Sequence, residues 1–444
     1  MVAAEEGRSA ARQEGRRVMS AATGAGPIRA VDDVDLSDLS FWVRPRAEID
    51  AAFTRLRGRP GLPFYREPSS VSELIPTGPG YYAATRHADI VRISSEPGTF
   101  SSARGATSIP DLPPEFLEFF GGMINLDAPR HHRLRRIVSR AFTPRIIAQT
   151  EQDIAAIARA IVDDLVAKGP GDFVSRVAAR LPLEVICRMM GLPQERYGDV
   201  FRCTNVILGS GDPDYVPEGA DIVAALLGAG AELADLLNQE ATRRRTAPTD
   251  DLTTALALAE VDGERLDNSE IASFFILLLV AGNETTRTAI SHALLALTAF
   301  PEQRAAWRGD VAGVSRTAVE EIVRWSSPVR WMRRTVTQDV EVSGQRLHAG
   351  DKVLLFYSSA NRDEAVFADA DRFDVRRDPN PHLGFGGAGP HFCLGAHLAR
   401  REISVMWREL FAQAPDIRAV GEPEWLASSF INGVKRLACD FTVR

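Results

Sequence analysis

The sequence contains few cysteines and no long apolar run. Its four cysteines, spread over 444 residues, are too few for a disulfide scaffold, and nothing at the start resembles a secretory leader. No apolar run reaches the ~18 residues typical of a membrane span. The formal net charge of -7 argues against a general nucleic-acid-binding protein. We therefore expect a cytoplasmic protein with no membrane span and no nucleic-acid partner.

The composition is that of a globular protein, with 45% hydrophobic and 25% charged residues. Residues 1–30 hold almost no large apolar side chain and are expected to be a disordered extension, because such a segment cannot repay its ordering entropy. A second methionine, Met19, leaves open where translation starts. The remainder, residues 31–444, is expected to form a single domain.

Apolar residues recur at three- and four-residue spacing through most of the chain, which predicts a mainly α-helical fold. The clearest helical patterns are Ile154–Ala167, Leu181–Met190, Ile222–Arg245, Ser269–Phe300, Thr317–Trp325 and Gly395–Ala414. Strand-like runs are short and local, at Gly80–Arg86, at Asp339–Tyr357 and in the C-terminal segment FINGVKRLACDFTVR. Strands and helices do not alternate as they would around a parallel sheet.

The segment HLGFGGAGPHFCLGAHLARRE, residues 382–402, places Cys393 in a glycine-rich loop before a helix. A phosphate-binding loop would end in Gly-Lys-Ser/Thr, and a zinc site using His391, Cys393 and His397 would lack a fourth ligand. Burial of the cysteine as core filler explains neither the glycines nor the nearby histidine. An amide-lined loop at a helix N-terminus stabilises a thiolate, which is what an axial ligand of haem iron requires.

This segment resembles the haem-binding loop of the cytochrome P-450 family, F-x-x-G-x-[HR]-x-C-x-G. Gly389, His391, Cys393 and Gly395 match that pattern. The usual phenylalanine position holds Gly386, and Phe385 stands one residue early. The resemblance implies that Cys393 ligates the iron of haem b and that the loop contacts the cofactor.

The segment EEIVRW carries Glu321 and Arg324 one turn apart, which alone is typical of a surface ion pair. The later segment DADRF resembles the family's source of a third member, Arg372, for a structural Glu-Arg-Arg cluster. Ala370 replaces the proline often found there.

The basic segment DAPRHHRLRRIVSRAF could be an exposed, solvated helix, but His131 and Arg135 lie one turn apart and can face one anion. They resemble the family's pair for a haem propionate. Arg334 and His391 resemble the other propionate partners, with cations suited to buried carboxylates.

The segment LLLVAGNETTRTAISH interrupts an apolar helix with small and polar residues. A polar face meeting solvent is one interpretation. The other is a resemblance to the family's central helix, which crosses the haem. It implies that Ala281 and Gly282 lie at the cofactor, with Gly282 leaving room for dioxygen. Glu284 and Thr285 would then form the catalytic acid-alcohol pair that delivers protons.

The resemblance implies a cytochrome P-450 fold: a helical triangular prism with small β-sheets and haem b between the central helix and the cysteine loop. It also implies a monooxygenase that uses dioxygen, a small apolar substrate and two electrons. No electron-transfer domain is fused to the chain, so a separate ferredoxin and ferredoxin reductase are expected. A basic docking face is predicted from Arg133, Arg136, Arg140, Arg145, Arg400 and Arg401.

Several local stretches are similar to the bacterial branch that hydroxylates methyl-branched lipids and steroid side chains. The expected pocket is apolar, as a hydrocarbon requires, and includes Ile207, Phe275, Val329, Trp331 and Phe430. Terpene or macrolide oxidation is an alternative, and a haem sensor or carrier is another. Glu284 and Thr285 argue against the sensor, and the arginine-proline pair of peroxide-driven relatives is absent. The natural substrate, position of attack, redox partner and oligomeric state stay open.

Overall fold

The computed structural model describes residues 34–69, 75–142, 144–261 and 263–442. Residues Leu36–Arg444 form one compact unit. The predicted N-terminal extension, residues 1–30, lies outside the described residues, so its disorder stays a prediction.

The described chain is mainly helical, as predicted, with 54% of the structure in helices. The α-helices are α1 Leu39–Trp42, α2 Arg46–Arg57, α3 His87–Ser95, α4 Pro114–Gly121, α5 Arg130–Ala141, α6 Pro144–Lys168, α7 Arg180–Met189, α8 Tyr197–Leu208, α9 Ile222–Thr246, α10 Leu252–Ala257, α11 Asn268–Ala299, α12 Pro301–Gly309, α13 Val311–Ser326, α14 Tyr357–Ala360 and α15 Ala396–Gln413. Short 3₁₀ turns occupy Gly122–Asn125 and Gln194–Arg196, and a π turn occupies Val174–Ala178.

Each helix predicted from apolar spacing is present, but two begin earlier than predicted. Helix α6 begins at Pro144, and helix α13 begins at Val311. Asp310 caps the start of α13, because its Oδ1 accepts a hydrogen bond from the Gly313 backbone NH at 2.9 Å. The spacing of apolar residues underestimates the length of such helices, because their first turns are largely exposed and carry few apolar residues.

The strands are short, also as predicted, and form small sheets. They are β1 Phe64–Tyr65, β2 Tyr81–Ala84, β3 Phe100–Ser101, β4 Gly171–Asp172, β5 Glu260–Val261, β6 Glu264–Arg265, β7 Trp331–Val336, β8 Val340–Val342, β9 Gln345–Leu347, β10 Lys352–Phe356, β11 Arg418–Ala419, β12 Glu424–Trp425, β13 Val434–Arg436 and β14 Ala438–Asp440. The largest sheet has the order β1-β2-β10-β7-β3, in which only β2 and β10 pair in parallel. The other sheets are β11-β14-β4 and the pairs β12-β13, β5-β6 and β8-β9.

Helix α11 connects two apolar cores. Its first half packs in one core through residues such as Ile271 and Leu279, and its second half packs in the other through Ile290 and Leu294. Asp267 begins the helix with a capping box, exchanging hydrogen bonds with the backbone and side chain of Glu270. The polar stretch that the sequence singled out therefore lies between the two cores.

Helix α9 has the length and composition to cross a membrane, with a mean hydropathy of 1.2 over its most apolar window. Length and composition are weak evidence, because a core helix passes the same test. Its last turn carries Arg243, Arg244 and Arg245.

Glu321 and Arg324 on α13 form a completely buried ion pair. Arg324 donates through Nε and Nη2 to the two carboxylate oxygens at 2.7 and 2.8 Å. Its Nη1 donates to the carbonyls of Asn361 and Ala370. The pair therefore anchors the irregular segment that leads toward the cysteine loop.

The third member of this cluster is Arg377, so the prediction of Arg372 is wrong. The Nε of Arg377 lies 3.2 Å from Glu321 Oε2. Arg372 is exposed and contributes its backbone carbonyl, which accepts hydrogen bonds from Arg324 and Arg377. A turn that begins at Asp369, where φ is +49°, closes with the Arg372 NH donating to the Asp369 carbonyl at 2.9 Å.

We expect Arg377→Ala to lower the free energy of unfolding by roughly 1–3 kcal/mol, because it removes donors from a buried carboxylate and three carbonyls. Arg372→Ala is the matched control, and its effect is expected to stay within about 0.5 kcal/mol because its carbonyl remains. Denaturant unfolding followed by circular dichroism measures both. A larger loss in Arg372→Ala than in Arg377→Ala would restore the original assignment.

Candidate active site

The cysteine loop packs against the end of α3. Gly389 has φ +141°, and a Cβ placed there would lie 2.2 Å from the Ser94 carbonyl oxygen. A Cβ on Gly387 would lie 2.7 Å from the Ser94 hydroxyl. The glycines of this segment therefore allow a close backbone approach that other residues would block.

Cys393 lies just before α15, with its backbone NH donating to the Phe385 carbonyl at 2.9 Å. The residue as a whole is exposed to solvent, whereas its sulfur is largely surrounded by protein atoms. That burial raises the pKa of the Cys393 thiol, whereas the backbone amides of Gly395 and Ala396 and the Arg135 guanidinium act in the opposite direction. The loop thus supplies the donors that a metal-bound thiolate needs.

Phe385 lies within the same loop, one residue before the position that the family pattern predicts. Its ring lies under the guanidinium of Arg400, with 4.4 Å from Cζ to the ring centroid. The His382 ring is 5.8 Å away. Gly386 follows with φ +90°. Contacts of Phe385 and Gly386 with a haem stay predictions.

Helix α11 has one open stripe in an otherwise buried stretch. Leu278, Ala281, Gly282 and Thr285 are at least partly exposed at helical spacing, and Ala281 is the most exposed of them. The Thr285 hydroxyl donates to the Ala281 carbonyl at 2.7 Å. The predicted cofactor-facing residues of this helix therefore share one face.

Gly282 has a packing role in this structure. A Cβ at this position would lie 2.6 Å from Cδ1 of Ile186 on α7. The absence of a side chain therefore lets α7 approach α11 closely. Room for dioxygen stays a prediction for Gly282.

Glu284 is buried, 3% exposed, and lies 2.7 Å from the Nη2 of Arg287 on the next turn. Burial raises the pKa of the Glu284 carboxyl, while Arg287 opposes this shift. Arg287 Nη1 also donates to Asn205 Oδ1 at 3.0 Å. The i,i+3 spacing could have indicated Arg287, but no sequence signal pointed to Asn205 on α8.

The four residues predicted to bind propionates lie together. The His131 and His391 rings are 4.2 Å apart. Burial and the nearby arginines lower the pKa of His131 to about 4, and burial, Arg334 and His131 lower the pKa of His391 to about 3. Arg135 donates to the Phe392 carbonyl at 2.7 Å.

Arg334 is the most informative member of this group. It is 6% exposed, and burial lowers its pKa. Its Nη1 donates to the Arg333 carbonyl at 2.8 Å, and among the described residues no carboxylate forms an ion pair with it. A buried guanidinium beside two imidazoles and Arg135 fits a ligand that carries two carboxylates. The donor set and the thiol together therefore fit haem b.

Three predicted pocket residues also lie close together. Trp331 and Phe430 pack edge to face with centroids 5.0 Å apart, and Val329 pairs with Ile431 across an isolated β-bridge. Ile207 is half-buried against the core around the first half of α11.

Phe275 is placed differently from the prediction. It is completely buried in the core, and Phe274, one residue earlier, lines a small cavity of about 20 Å³ beside Met123. Helical geometry turns adjacent residues by about 100°, so a shift of one residue changes the face. None of the other predicted pocket residues lines this cavity, so contact of Phe275 with a substrate stays a prediction.

The predicted basic docking face is largely neutralised. Ion pairs occupy the side chains of Arg133 with Glu264 and Glu270, Arg145 with Asp250, Arg400 with Glu320, and Arg401 with Glu151. Arg136 and Arg140 are exposed on α5. Phe392, next to Cys393, is 41% exposed. This surface therefore combines paired charge with an exposed aromatic ring.

The cytochrome P-450 family model matches residues 231–412. A methyl-branched lipid omega-hydroxylase from Mycobacterium tuberculosis is 50% identical over 414 residues, which cover 93% of this chain and 95% of the relative. A steroid C26-monooxygenase from Mycolicibacterium smegmatis is 39% identical, with 82% and 84% covered. A solved Mycobacterium marinum cytochrome P-450 in complex with pseudoionone is 40% identical with a TM-score of 0.88, covering 94% of this chain and 100% of that one.

We expect Gly389→Ala to lower the ratio of haem to protein by about half or more, because the new methyl group meets a backbone carbonyl and strains a left-handed residue. The pyridine haemochromogen spectrum of purified protein measures the ratio. Gly98→Ala is the matched control, since a Cβ there meets nothing within 4 Å. Equal haem content in the two variants would contradict the packing argument.

Proposed function

Because the chain belongs to the cytochrome P-450 family, we propose that it hydroxylates the chain end of a methyl-branched lipid or a steroid side chain. The enzyme itself is a haem-thiolate monooxygenase, as its hydroxylase and monooxygenase relatives are. The observation that carries the substrate proposal is the 50% identity, over 93% of the chain, to a methyl-branched lipid omega-hydroxylase.

Different residues of the site would bind different parts of the cofactor. Cys393 would ligate the iron, and His131, Arg135, Arg334 and His391 would bind the propionates. Haem b with a thiolate ligand supplies the activation of dioxygen and accepts the two electrons of the reaction. The protein's part is to position the substrate, hold protons and exclude water.

Glu284 and Thr285 are proposed to hold and move the protons that the reaction consumes. Burial raises the pKa of Glu284, so the carboxyl holds a proton more readily than an exposed glutamate does. The Thr285 hydroxyl, on the open stripe of α11, can accept one proton while it passes on its own, and so can relay a proton with no net change of its charge. In this proposal Glu284 is the buried proton source, and Thr285 passes the proton on toward the cofactor.

Chain-end attack needs positional control, because a terminal methyl C–H bond is stronger than the neighbouring bonds. Trp331 and Phe430 support each other edge to face, so they present a rigid apolar wall. A rigid wall that admits only the end of a chain favours one position by orientation alone. The enzyme would then discriminate among lipids by how well the branched chain end fits against this wall.

The enzyme uses dioxygen, a lipophilic substrate and a separate redox partner. We propose that the partner is a ferredoxin reduced by a ferredoxin reductase, and that the enzyme acts in the cytoplasm. The exposed ring of Phe392 beside Cys393 supports docking at this surface, since aromatic residues are enriched at protein interfaces. The paired arginines make steering by charge weaker than the sequence predicted.

The substrate proposal is tested by product analysis with surrogate electron-transfer proteins. Paired straight and methyl-branched fatty acids, a sterol and pseudoionone are turned over separately, and products are located by mass spectrometry. We expect hydroxylation at the branched chain end and slower turnover of the straight chain. Ring or mid-chain oxidation of the lipids, or rapid turnover of pseudoionone alone, would favour a terpene oxidase and reject the proposal.

For Thr285→Ala we expect unchanged substrate binding, with most of the consumed electrons diverted to peroxide, because a hydroxyl proton carrier is lost. Thr285→Ser keeps the hydroxyl and is expected to retain coupling. The measurement is product formed per NADH oxidised, together with the substrate-induced spectral shift. Full coupling in Thr285→Ala would remove this residue from proton delivery.

A further inference from the structure

Three side chains on different elements form a stack beside the cysteine loop. The guanidinium of Arg400 on α15 lies over the Phe385 ring at 4.4 Å. Its Nε and Nη2 donate to the carboxylate of Glu320 on α13 at 2.5 and 2.9 Å. We call Glu320, Arg400 and Phe385 the proximal stack.

The proximal stack is well defined by its surroundings. Glu320 Oε2 also lies 2.9 Å from Nε2 of His382, whose side chain is 3% exposed. The side chains of Arg400 and Glu320 are 36% and 21% exposed. A bidentate pair with a cation-π contact fixes the guanidinium more firmly than a single surface ion pair would.

The stack is connected directly to the metal-binding loop. The Phe385 carbonyl accepts the Cys393 backbone NH at 2.9 Å, so a movement of Phe385 moves the loop. The Arg400 guanidinium is therefore linked to Cys393 by two contacts, its stacking on the Phe385 ring and the hydrogen bond that the Phe385 carbonyl accepts. Its positive charge lies beside the loop that holds the sulfur, and the Glu320 carboxylate partly cancels that charge.

The carboxylate that balances Arg400 stays ionised. Burial raises the pKa of Glu320, but hydrogen bonds from His382 and Arg400 outweigh it and bring the pKa to about 2. The Glu320 carboxylate is therefore negatively charged throughout the neutral pH range. The effect of the proximal stack on the sulfur therefore depends on where the Arg400 and Glu320 charges lie.

We propose that the proximal stack sets the reduction potential of the thiolate-ligated haem, with Arg400 as a positioning residue whose charge favours the reduced state and Glu320 as the group that limits it. When haem is bound, reduction would add one electron, supplied in the titration by a chemical reductant. A cation beside the sulfur stabilises the added negative charge, and a carboxylate does the opposite. The inference depends on haem-thiolate ligation but on no particular substrate.

The two ends of the stack give opposite predictions. Arg400→Gln removes the cation and is expected to lower the reduction potential. Glu320→Gln leaves Arg400 uncompensated and is expected to raise it. In each case we expect the ratio of reduced to oxidised protein, at a fixed potential, to change roughly threefold or more. A merely structural role would move both variants in the same direction.

The experiment is a spectroscopic redox titration of the substrate-free holoenzyme. Arg401→Gln is the matched control, because Arg401 is the next residue, carries the same charge and pairs with Glu151 at 3.7 Å. Arg400→Lys keeps the charge but loses the planar stack, and a potential near that of the wild type would assign the effect to charge. If Arg400→Gln fails to bind haem, the reduction potentials of Glu320→Gln and Arg400→Lys are compared instead. A higher potential in Glu320→Gln would support the proposal, and a lower one would contradict it.

Shifts of the same sign in Arg400→Gln and Glu320→Gln, or shifts no larger than that of Arg401→Gln, would overturn the proposal. The titration needs no turnover, so its failure would leave the lipid hydroxylase proposal standing. Failure of the product analysis would likewise leave the role of the stack untouched.

Discussion

The completely buried ion pair of Glu321 and Arg324 holds the segment from which the cysteine loop begins. Removing two charges from water is costly, and here the cost is offset by the hydrogen bonds that the pair makes. Arg324 and Arg377 donate hydrogen bonds to backbone carbonyls of residues 368–372. The side-chain Oδ1 of Asn361 accepts a hydrogen bond from the Leu383 NH at 2.7 Å. Irregular backbone is thereby given a single conformation just before Cys393.

The central helix meets the loop at a break between two apolar cores. Large apolar residues immobilise both halves of α11, so the polar residues between them cannot move far. Glu284 turns to Arg287 and the neighbouring α8, whereas Thr285 lies on the open stripe. One short sequence thus provides a buried acid and an accessible hydroxyl.

Charge is used differently on the two sides of the cysteine. Beside His131 and His391, no carboxylate of the described residues forms an ion pair with the guanidinium of Arg334, as a site for an anionic cofactor requires. Around α5 and α15, by contrast, Arg133, Arg400 and Arg401 are paired with carboxylates of the chain. Counting basic residues overestimated the docking surface because the sequence does not show which of them are already neutralised.

Local patterns determined much of this protein. Apolar periodicity predicted the main helices, and the spacing of glycines, His391 and Cys393 predicted the metal-binding loop, because both depend on residues near one another in the chain. Tertiary structure alone decided that Arg377 replaces Arg372 and that Arg400 covers Phe385. These outcomes depend on the direction of a side chain in an irregular segment or at the edge of a helix face. That direction is set by packing against elements distant in sequence, which a local pattern does not contain.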